Sequence, residues 1–365
     1  MRHAAINCYG AIKQFTPRSK ERLDRTQETN SRTKARMPAN AEQHFMKITK
    51  VDLRGLEPGR PGWDEARVAV TASMVAHGCV VVHVQHVGLD DDIRQALFGR
   101  AMPELFALPA EAKQRNANSD VQYGGYIGQI PGMAYESMRI KDVTDAGQIS
   151  DFAGLLWPHG NPAFCETVGE FTKNAVSLEK TVTRMVLEGL GVRAEHALDS
   201  HRDQLCYSLR MSYYGICPEE NAAKVTLPEH RDYDMTTTIV QHEVEGLEVQ
   251  LKDGSWFAVP PEPDTVVIVA GELLNVVTNG RVRACLHRVR TPSNRERFSA
   301  LLGCMPTQGS TVRAMEQLVD EGHPLVYRPC DPYEYCAFQY SEEGRTSGDA
   351  IKAFCGVAKD GPAAV

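Results

Sequence analysis

The feature that most constrains the fold of this chain is a series of short apolar segments, separated by turn residues, between positions 205 and 306. These segments read LCYSLRMSYYGI, MTTTIVQH, GLEVQLKDGSWFAVPP, TVVIVAG, RVRACLHRVR and RFSALLGCMP. The dipeptides Asp253-Gly254 (in KDGS) and Asn279-Gly280 (in TNGR) favour the positive φ angles of tight hairpin turns. Six or more strands at this regular spacing predict a sandwich or jelly roll.

The N-terminal half has the apolar spacing of helices instead. Amphipathic patterns predict helices at residues 63–78, 90–115 and 161–191, and the first and last of these end in glycine, which commonly terminates a helix. Residues 79–88, CVVVHVQHVG, are rich in β-branched side chains and predict a buried strand. The chain is therefore expected to be mixed α and β, with a helical region packed around a β core.

The expected domain organisation follows from these patterns and from a shift in composition. Residues 1–45 are rich in basic and hydroxyl side chains and lack apolar periodicity, which predicts a disordered arm, with an organelle transit peptide as the alternative. A mostly helical domain over 46–200 and a β domain with a C-terminal helix over 201–358 are expected to form one continuous unit, because no linker separates them. Residues 359–365 are expected to be a tail.

Composition indicates a soluble protein that acts on a small molecule. The 365 residues are 42% apolar and carry a net charge of -7, without a basic run in the body of the chain, which argues against a nucleic-acid or membrane partner. The ten cysteines contain no CxxC pair, and we find neither a secretory signal nor an apolar stretch of about 20 residues that could span a bilayer. A cytoplasmic protein with reduced thiols is expected.

A histidine-containing triplet occurs twice, as His230-Arg231-Asp232 and as His201-Arg202-Asp203. A histidine and a carboxylate two residues apart on an extended segment project to the same face, so either pair could bind a metal or could simply be polar surface residues. A mononuclear iron oxygenase needs two neutral imidazoles and one carboxylate on one face of the metal. The second imidazole has to come from another strand.

One further histidine distinguishes the two triplets. His287 lies in an apolar segment of the β half and, alone among the 12 histidines, is followed ten residues later by an arginine, Arg297, and twelve residues later by Ser299. A guanidinium can form a bidentate pair with a carboxylate, and a hydroxyl adds a hydrogen bond. His201 ends a helical segment without such partners, so its triplet is interpreted as surface polar residues. The candidate metal ligands are His230, Asp232 and His287.

This spacing, His-x-Asp, then 54 residues, then His and later Arg-x-Ser, resembles the plant-type 2-oxoglutarate and Fe(II)-dependent dioxygenases of the isopenicillin N synthase-like superfamily. The segment GLEVQLKDGSWFAVPPEPDTVVIVAGELLNVVTNGRVRACLHRV is similar to the core of that family, and RMSYYGICP occupies the place of its Asn-Tyr-Tyr-Pro-Pro-Cys-Pro segment. The resemblance covers residues 46–358. The tail, EYCAFQYSEEGRTSGDAIKAFCGV, resembles the branch of the alkenyl- and hydroxyalkyl-producing enzymes.

The resemblance implies a double-stranded β-helix that holds Fe(II) through the three candidate ligands. 2-Oxoglutarate would chelate the iron, and its far carboxylate would contact three side chains: Arg297, Ser299 and Tyr214. Reaction with O2 would release succinate and carbon dioxide and would oxidise a C–H bond of a small plant metabolite or hormone. Hydroxylation is the expected outcome, with demethylation, desaturation or ring closure as variants. Ascorbate as reductant and a monomeric state are also expected.

Three positions depart from the pattern of that family. The usual Asn is Ser212, the two prolines after Tyr214 are Gly215 and Ile216, and the small residue within His-x-Asp is Arg231. None of these changes removes a metal ligand, although the first alters the expected neighbourhood of Tyr214. Arg231 is expected at the mouth of the site, where it is either solvated or attracts an acidic substrate.

Further residues are candidates for contact with the substrate. Tyr123, Tyr126, Met133 and Met138 occur where relatives build a substrate wall, and Phe338 lies in the tail that often closes the site. Core packing is the alternative interpretation of each of these five residues.

Two alternative functions stay open at this point. A cosubstrate-independent oxidase of the same fold would keep the same residues, and turnover without 2-oxoglutarate would distinguish it. A non-catalytic binding relative would usually lack a metal ligand, whereas all three are present here. The sequence does not identify the substrate, because the loops that surround the site determine it.

Overall fold

The computed structural model describes residues 48, 50–84, 88–117, 124–128, 134–216, 226–292 and 294–358. From Ile48 onward the chain forms one compact unit. The predicted N-terminal arm and C-terminal tail lie outside the described residues. Two of the substrate candidates, Tyr123 and Met133, also lie outside them.

Strands provide the framework of the molecule. In chain order they are β1 (Lys50–Asp52), β2 (Cys79–His83), β3 (Tyr135–Ile140), β4 (Leu205–Tyr214), β5 (Leu227–His230), β6 (Thr236–Gln241), β7 (Leu247–Gln250), β8 (Trp256–Ala258), β9 (Thr265–Ala270), β10 (His287–Val289) and β11 (Arg297–Pro306). Seven form a large sheet in the order β1-β2-β9-β6-β11-β4-β3, and four form a small sheet in the order β5-β10-β7-β8. Apart from the parallel pair β1 and β2, neighbouring strands are antiparallel.

The two sheets pack face to face. A buried cluster between them joins Ile239 and Val267 of the large sheet to Leu247 and Val249 of the small sheet. Burying each such side chain stabilises the fold by about 1.5–3 kcal/mol. Two opposed antiparallel sheets of this kind confirm the predicted mixed α and β fold with a jelly-roll core.

Helices surround this framework. They are α1 (Trp63–His77), α2 (Asp91–Arg94), α3 (Met102–Phe106), α4 (Ala110–Gln114), α5 (Ala146–Leu156), α6 (Pro162–Leu190), α7 (Glu195–Arg202), α8 (Glu272–Val277), α9 (Pro332–Gln339), α10 (Glu342–Thr346) and α11 (Ala350–Cys355). A π-helical segment, Gln95–Ala101, joins α2 to α3. Within the described ranges, no helix has both the length and the apolar character that crossing a bilayer requires.

The longest helix, α6, packs on the outer face of the large sheet. Its start is set by Asn161, whose side chain accepts a hydrogen bond from the N–H of Phe164, and it ends at Gly191 with φ 111°. Buried side chains of α6 share one apolar cluster with Leu209 and Met211 of β4. Because side chains alternate along a strand, Arg210, which lies between these two residues, faces the interior of the jelly roll.

Two local predictions change in the structure. The segment TNGR is not a hairpin turn: Asn279 (φ 51°) and Gly280 (φ 82°) terminate α8, and the N–H of Gly280 donates to the carbonyl of Asn275. Left-handed residues end helices as readily as they form hairpins, so the dipeptide alone does not separate the two. The helix predicted over 90–115 is interrupted, because Pro109 has an extended ψ of 148° before α4.

Candidate metal centre and cosubstrate site

The two candidate histidines face each other across the small sheet. His230 is the last residue of β5 and His287 the first of β10, and the antiparallel register places them directly opposite. Their ring centroids are 4.2 Å apart. The structure thus brings together two imidazoles that are separated in the sequence by several strands.

Asp232 completes the group two residues after β5. The Nε2 atom of His230 lies 3.6 Å from Asp232 Oδ1, and the Nε2 atom of His287 lies 3.8 Å from Asp232 Oδ2. One potential ligand atom from each of the three residues lies within 4.8 Å of the others. In the part of the chain that the structure describes, no other group of three or more His, Cys, Asp or Glu residues has this geometry.

The orientation of these side chains suits a metal. The Nδ1 atom of His230 lies 2.8 Å from the carbonyl of Pro228, and that of His287 lies 3.2 Å from the carbonyl of Cys285. Because a carbonyl only accepts hydrogen bonds, Nδ1 carries the proton and Nε2 presents its lone pair towards Asp232.

The charge states also suit a metal. Burial, followed by the neighbouring His287, lowers the pKa of His230 to about 4, so this imidazole is neutral at pH 7. Burial acts to raise the pKa of Asp232, but the two imidazoles and Thr237 outweigh it and the pKa is lowered. A neutral imidazole and an ionised carboxylate are the forms that bind a divalent cation.

Thr237 on β6 connects the candidate centre to the large sheet. Its hydroxyl donates to Asp232 Oδ2 at 2.5 Å and also lies 2.9 Å from Asp234 Oδ2. One hydroxyl hydrogen cannot serve both oxygens. Burial and the neighbouring Asp232 raise the pKa of Asp234 well above its usual range, which favours the protonated form of this carboxyl.

Arg297 begins β11 and is only 1% exposed. Its guanidinium donates to the side chains of Gln241 at 2.9 Å and Ser299 at 3.3 Å, and to the carbonyl of Val244 at 3.2 Å. The same group stacks over the ring of Tyr214, 4.9 Å from its centroid, because the two residues are register partners on β11 and β4. The structure therefore groups the three predicted cosubstrate residues.

Burial of this cluster has electrostatic consequences. Burial lowers the pKa of Arg297 and raises that of Tyr214. Neutral and polar partners surround the guanidinium, so a carboxylate that entered here would gain a strong charge-assisted interaction. Tyr214 also contacts Tyr135, with ring centroids 5.0 Å apart, and these two rings share an apolar cluster with Val289 of β10. Val289 lies two residues after His287 on β10, so this cluster adjoins the candidate metal centre.

A glycine makes room for the arginine. A Cβ atom on Gly246, just before β7, would lie 2.9 Å from Arg297 Nε and 3.1 Å from its Cδ. Distances this short force a neighbour to move. The close approach of the small sheet to Arg297 therefore requires glycine at position 246, a requirement that the sequence analysis missed.

The remaining substrate candidates lie in different environments. Met138 is fully buried in the core on the outer face of β3, and Tyr126 lies beside Lys113 of α4, 5.8 Å from its ring centroid. Phe338 on α9 is half-buried against Phe354, with ring centroids 5.2 Å apart. Arg231 is exposed. Of these, Met138 faces away from the interior of the jelly roll.

Comparison with known proteins agrees with this geometry. The profile described as "2OG-Fe(II) oxygenase superfamily" matches residues 205–306. The Arabidopsis thaliana protein named "Probable 2-oxoglutarate-dependent dioxygenase AOP1.2" is 32% identical over 82% of this chain and 92% of its own length. The chain belongs to the 2OG-Fe(II) oxygenase superfamily.

Other relatives support the same assignment for this oxygenase. "2-Oxoglutarate-dependent dioxygenase AOP3" of Arabidopsis thaliana is 27% identical, covering 83% of this chain and 95% of its own length. The crystal structure of the dioxygenase for auxin oxidation in rice superposes with a TM-score of 0.71 and 25% identity, over 85% of this chain and 100% of that one. The protein is thus a 2-oxoglutarate-dependent dioxygenase, and its likeness to AOP proteins supports the predicted alkenyl-producing branch.

Proposed function

We propose that this dioxygenase binds Fe(II) through the two imidazoles and the carboxylate of its metal centre: His230, Asp232 and His287. The observation that carries the proposal is their convergence, with one ligand atom from each residue within 4.8 Å of the others. A donor set of two neutral imidazoles and one carboxylate is the one that non-haem Fe(II) oxygenases use.

The far carboxylate of 2-oxoglutarate would bind at Arg297, with the hydroxyls of Ser299 and Tyr214 beside it. The buried guanidinium supports this assignment, since it donates to neutral acceptors and to no carboxylate among the hydrogen bonds described for it. Fe(II) with bound 2-oxoglutarate supplies the activation of O2 that oxidises a C–H bond, with release of succinate and carbon dioxide. The chain itself orients the cosubstrate between the two sheets.

The substrate is proposed to be a small plant metabolite or hormone of specialised metabolism, and its oxidation to be a hydroxylation or a related demethylation or desaturation. The AOP relatives and the likeness to a rice dioxygenase for auxin oxidation support this class. We further propose a monomeric cytoplasmic enzyme that uses ascorbate as reductant. Eight free cysteines among the described residues are in keeping with a reducing compartment.

Exchange of one aspartate in each triplet tests the assignment of the metal ligands. Asp232→Ala should abolish Fe(II)-dependent formation of succinate, whereas Asp203→Ala should leave it nearly intact, because Asp203 is exposed at the end of α7. Succinate is measured with and without Fe(II). The reverse result would refute the choice of triplet, and substrate turnover without 2-oxoglutarate would identify a cosubstrate-independent oxidase instead.

A further inference from the structure

Two arginines lie directly opposite each other on the inner face of the large sheet. Arg139 on β3 and Arg210 on β4 are register partners in the antiparallel pair. Both side chains are half-buried. Like charges at directly opposed positions of a sheet repel each other, so this juxtaposition is unfavourable unless another group compensates for it.

Hydroxyl groups hold both guanidiniums on this face. Arg139 donates to Ser208 Oγ at 2.9 Å, and Arg210 donates to Ser137 Oγ at 2.7 Å. Among the described residues, no carboxylate lies within ion-pair distance of Arg139. Burial, together with the charge of Arg139, lowers the pKa of Arg210, which reflects the cost of keeping two cations side by side.

The pair lies next to the metal centre and apart from the cosubstrate site. Arg210 is four residues from Tyr214 on β4, which corresponds to about 13 Å along the strand. The charge of Arg210 acts on Asp232, and the charge of Arg139 acts on Tyr233, the residue after Asp232. The cosubstrate would thus occupy one side of the metal centre, and the two arginines lie on the other.

The loop that carries Asp232 covers this part of the sheet. A Cβ atom on Gly303 of β11 would lie 3.3 Å from Asp234 Oδ2, so the loop rests on the inner face next to Ser208. Tyr340, which follows α9, also interacts electrostatically with Arg210. Tyrosines from the metal loop and from the C-terminal segment therefore border the arginine pair.

We propose that Arg139 and Arg210 form the subsite for an oxyanion on the substrate, so that this dioxygenase oxidises small organic acids. This inference rests on the proposed function, because it assumes that the substrate lies beside the metal centre. Two adjacent guanidinium forks match the oxygens of a carboxylate or a sulfate, and the bound anion would neutralise their mutual repulsion.

Equilibrium binding tests the subsite without turnover. The full chain is loaded with 2-oxoglutarate and with Zn(II) in place of Fe(II), and ligands are titrated calorimetrically. The panel contains aryl acetates and cinnamates, each paired with its methyl ester, and aryl sulfates, each paired with its parent phenol. The first set identifies a carboxylate and the second a sulfate as the anion.

We expect at least one acid to bind about tenfold more tightly than its neutral partner. Arg139→Gln and Arg210→Gln should each weaken binding of that acid about tenfold and leave the neutral partner within about twofold. Arg210→Lys keeps the charge without the fork and should give an intermediate affinity. The exposed Arg313 provides the control, and Arg313→Gln should retain the full preference.

Three results would overturn the proposal. The first is that no acid in the panel binds more tightly than its neutral partner, and the second is that the preference for the acid persists when Arg139→Gln and Arg210→Gln are combined. The third is a loss of affinity for 2-oxoglutarate in either single variant. The last result would show that the arginines support the whole sheet. Failure of the wild-type protein to bind 2-oxoglutarate would instead refute the proposed function. Normal binding of 2-oxoglutarate without any acid preference would refute the subsite alone.

Discussion

At the scale of single residues, hydrogen bonds to neighbouring groups determine how the candidate ligands point. The Nδ1 atom of each imidazole donates a hydrogen bond to a backbone carbonyl, and Asp232 accepts one from Thr237 at 2.5 Å. Such outer partners orient metal ligands and tune their basicity. The orientation of Arg297, the predicted cosubstrate residue, depends in the same way on Gln241 and on the space left by Gly246.

Removing the hydroxyl of Thr237 should weaken metal binding. Thr237→Val keeps the shape of the side chain and removes the hydrogen bond to Asp232, so we expect about a tenfold loss of affinity for Mn(II) or Fe(II). Titration of the metal into the apoprotein measures this affinity. Thr238→Val is the matched control, since the buried hydroxyl of Thr238 has no hydrogen-bond partner among the described residues. Equal affinities in the two variants would contradict the role of Thr237.

Adding one methyl group at position 246 should disturb the cosubstrate site. In Gly246→Ala the new Cβ would meet Arg297 at 2.9 Å, so the guanidinium has to shift. We expect KM for 2-oxoglutarate to rise about tenfold, a change of about 1.4 kcal/mol. Gly154→Ala on α5 has no atom within 4 Å of the new Cβ and serves as the control. An unchanged KM in Gly246→Ala would show that Arg297 adjusts freely.

At the scale of secondary-structure elements, a buried carboxyl links the metal loop to the C-terminal helices. The N–H of Glu272, at the start of α8, donates to the carbonyl of Asp232 at 2.9 Å. Its side chain accepts hydrogen bonds from Tyr335 and, at 2.9 Å, from Gln339, both on α9. Glu272 therefore joins helix α9 to the loop that carries Asp232.

This carboxyl should make stability depend on pH. Burial raises the pKa of Glu272 from 4.5 to about 7 in the folded protein. The folded state therefore holds the proton more tightly than the unfolded state, so its contribution to stability is complete below pH 4.5 and is lost as the pH rises through 7. The free energy of unfolding falls by roughly 3 kcal/mol over this range of pH. Urea unfolding of the metal-free protein at pH 5 and pH 8 measures it.

The comparison for this pH effect is the neutral isostere. Glu272→Gln should lose less stability than the wild type between pH 5 and pH 8, because the amide does not titrate. Glu343→Gln, on the exposed side of α10, should behave like the wild type. Parallel pH profiles for wild type and Glu272→Gln would assign the effect to other groups.

At the scale of the whole molecule, the candidate metal centre and the predicted cosubstrate site lie where the two sheets face each other. The candidate metal ligands belong to the small sheet and the loop that follows β5, whereas Arg297 and Tyr214 belong to the large sheet. Ligands bound between the sheets add contacts that the unfolded chain lacks, so binding stabilises the fold.

Stepwise addition of ligands should therefore raise the melting temperature. At a concentration 100 times its dissociation constant, each ligand adds about 2.7 kcal/mol to the free energy of unfolding. Differential scanning calorimetry with EDTA, with Zn(II), and with Zn(II) plus 2-oxoglutarate measures the two increments. His287→Ala should lose both, whereas Arg297→Met should lose only the second. Retention of the Zn(II) increment in His287→Ala would exclude this residue as a ligand.

The sequence by itself determined the type of fold and the members of the candidate site. Short strands with regular turns predicted the β core, and the spacing of His-x-Asp, His and Arg-x-Ser selected the residues that the structure groups together. The strand prediction succeeds because strand periodicity is a local property of the chain, whereas the selection of the site residues depends on a long-range spacing that resembles a known family. The TNGR segment shows the limit of local patterns, since one dipeptide suits both a hairpin and a helix end.

Only the tertiary structure decided which groups surround that site. Arg139 and Arg210 are 71 positions apart, and only the register of β3 with β4 makes them neighbours. The same holds for the contact of Gly246 with Arg297 and for the hydrogen bonds of Glu272 with α9. Neither Gly246 nor Glu272 belongs to a sequence motif. The charge and space around a site depend on which strands pair and which faces they present, and these are consequences of packing the whole chain, so no local pattern contains them.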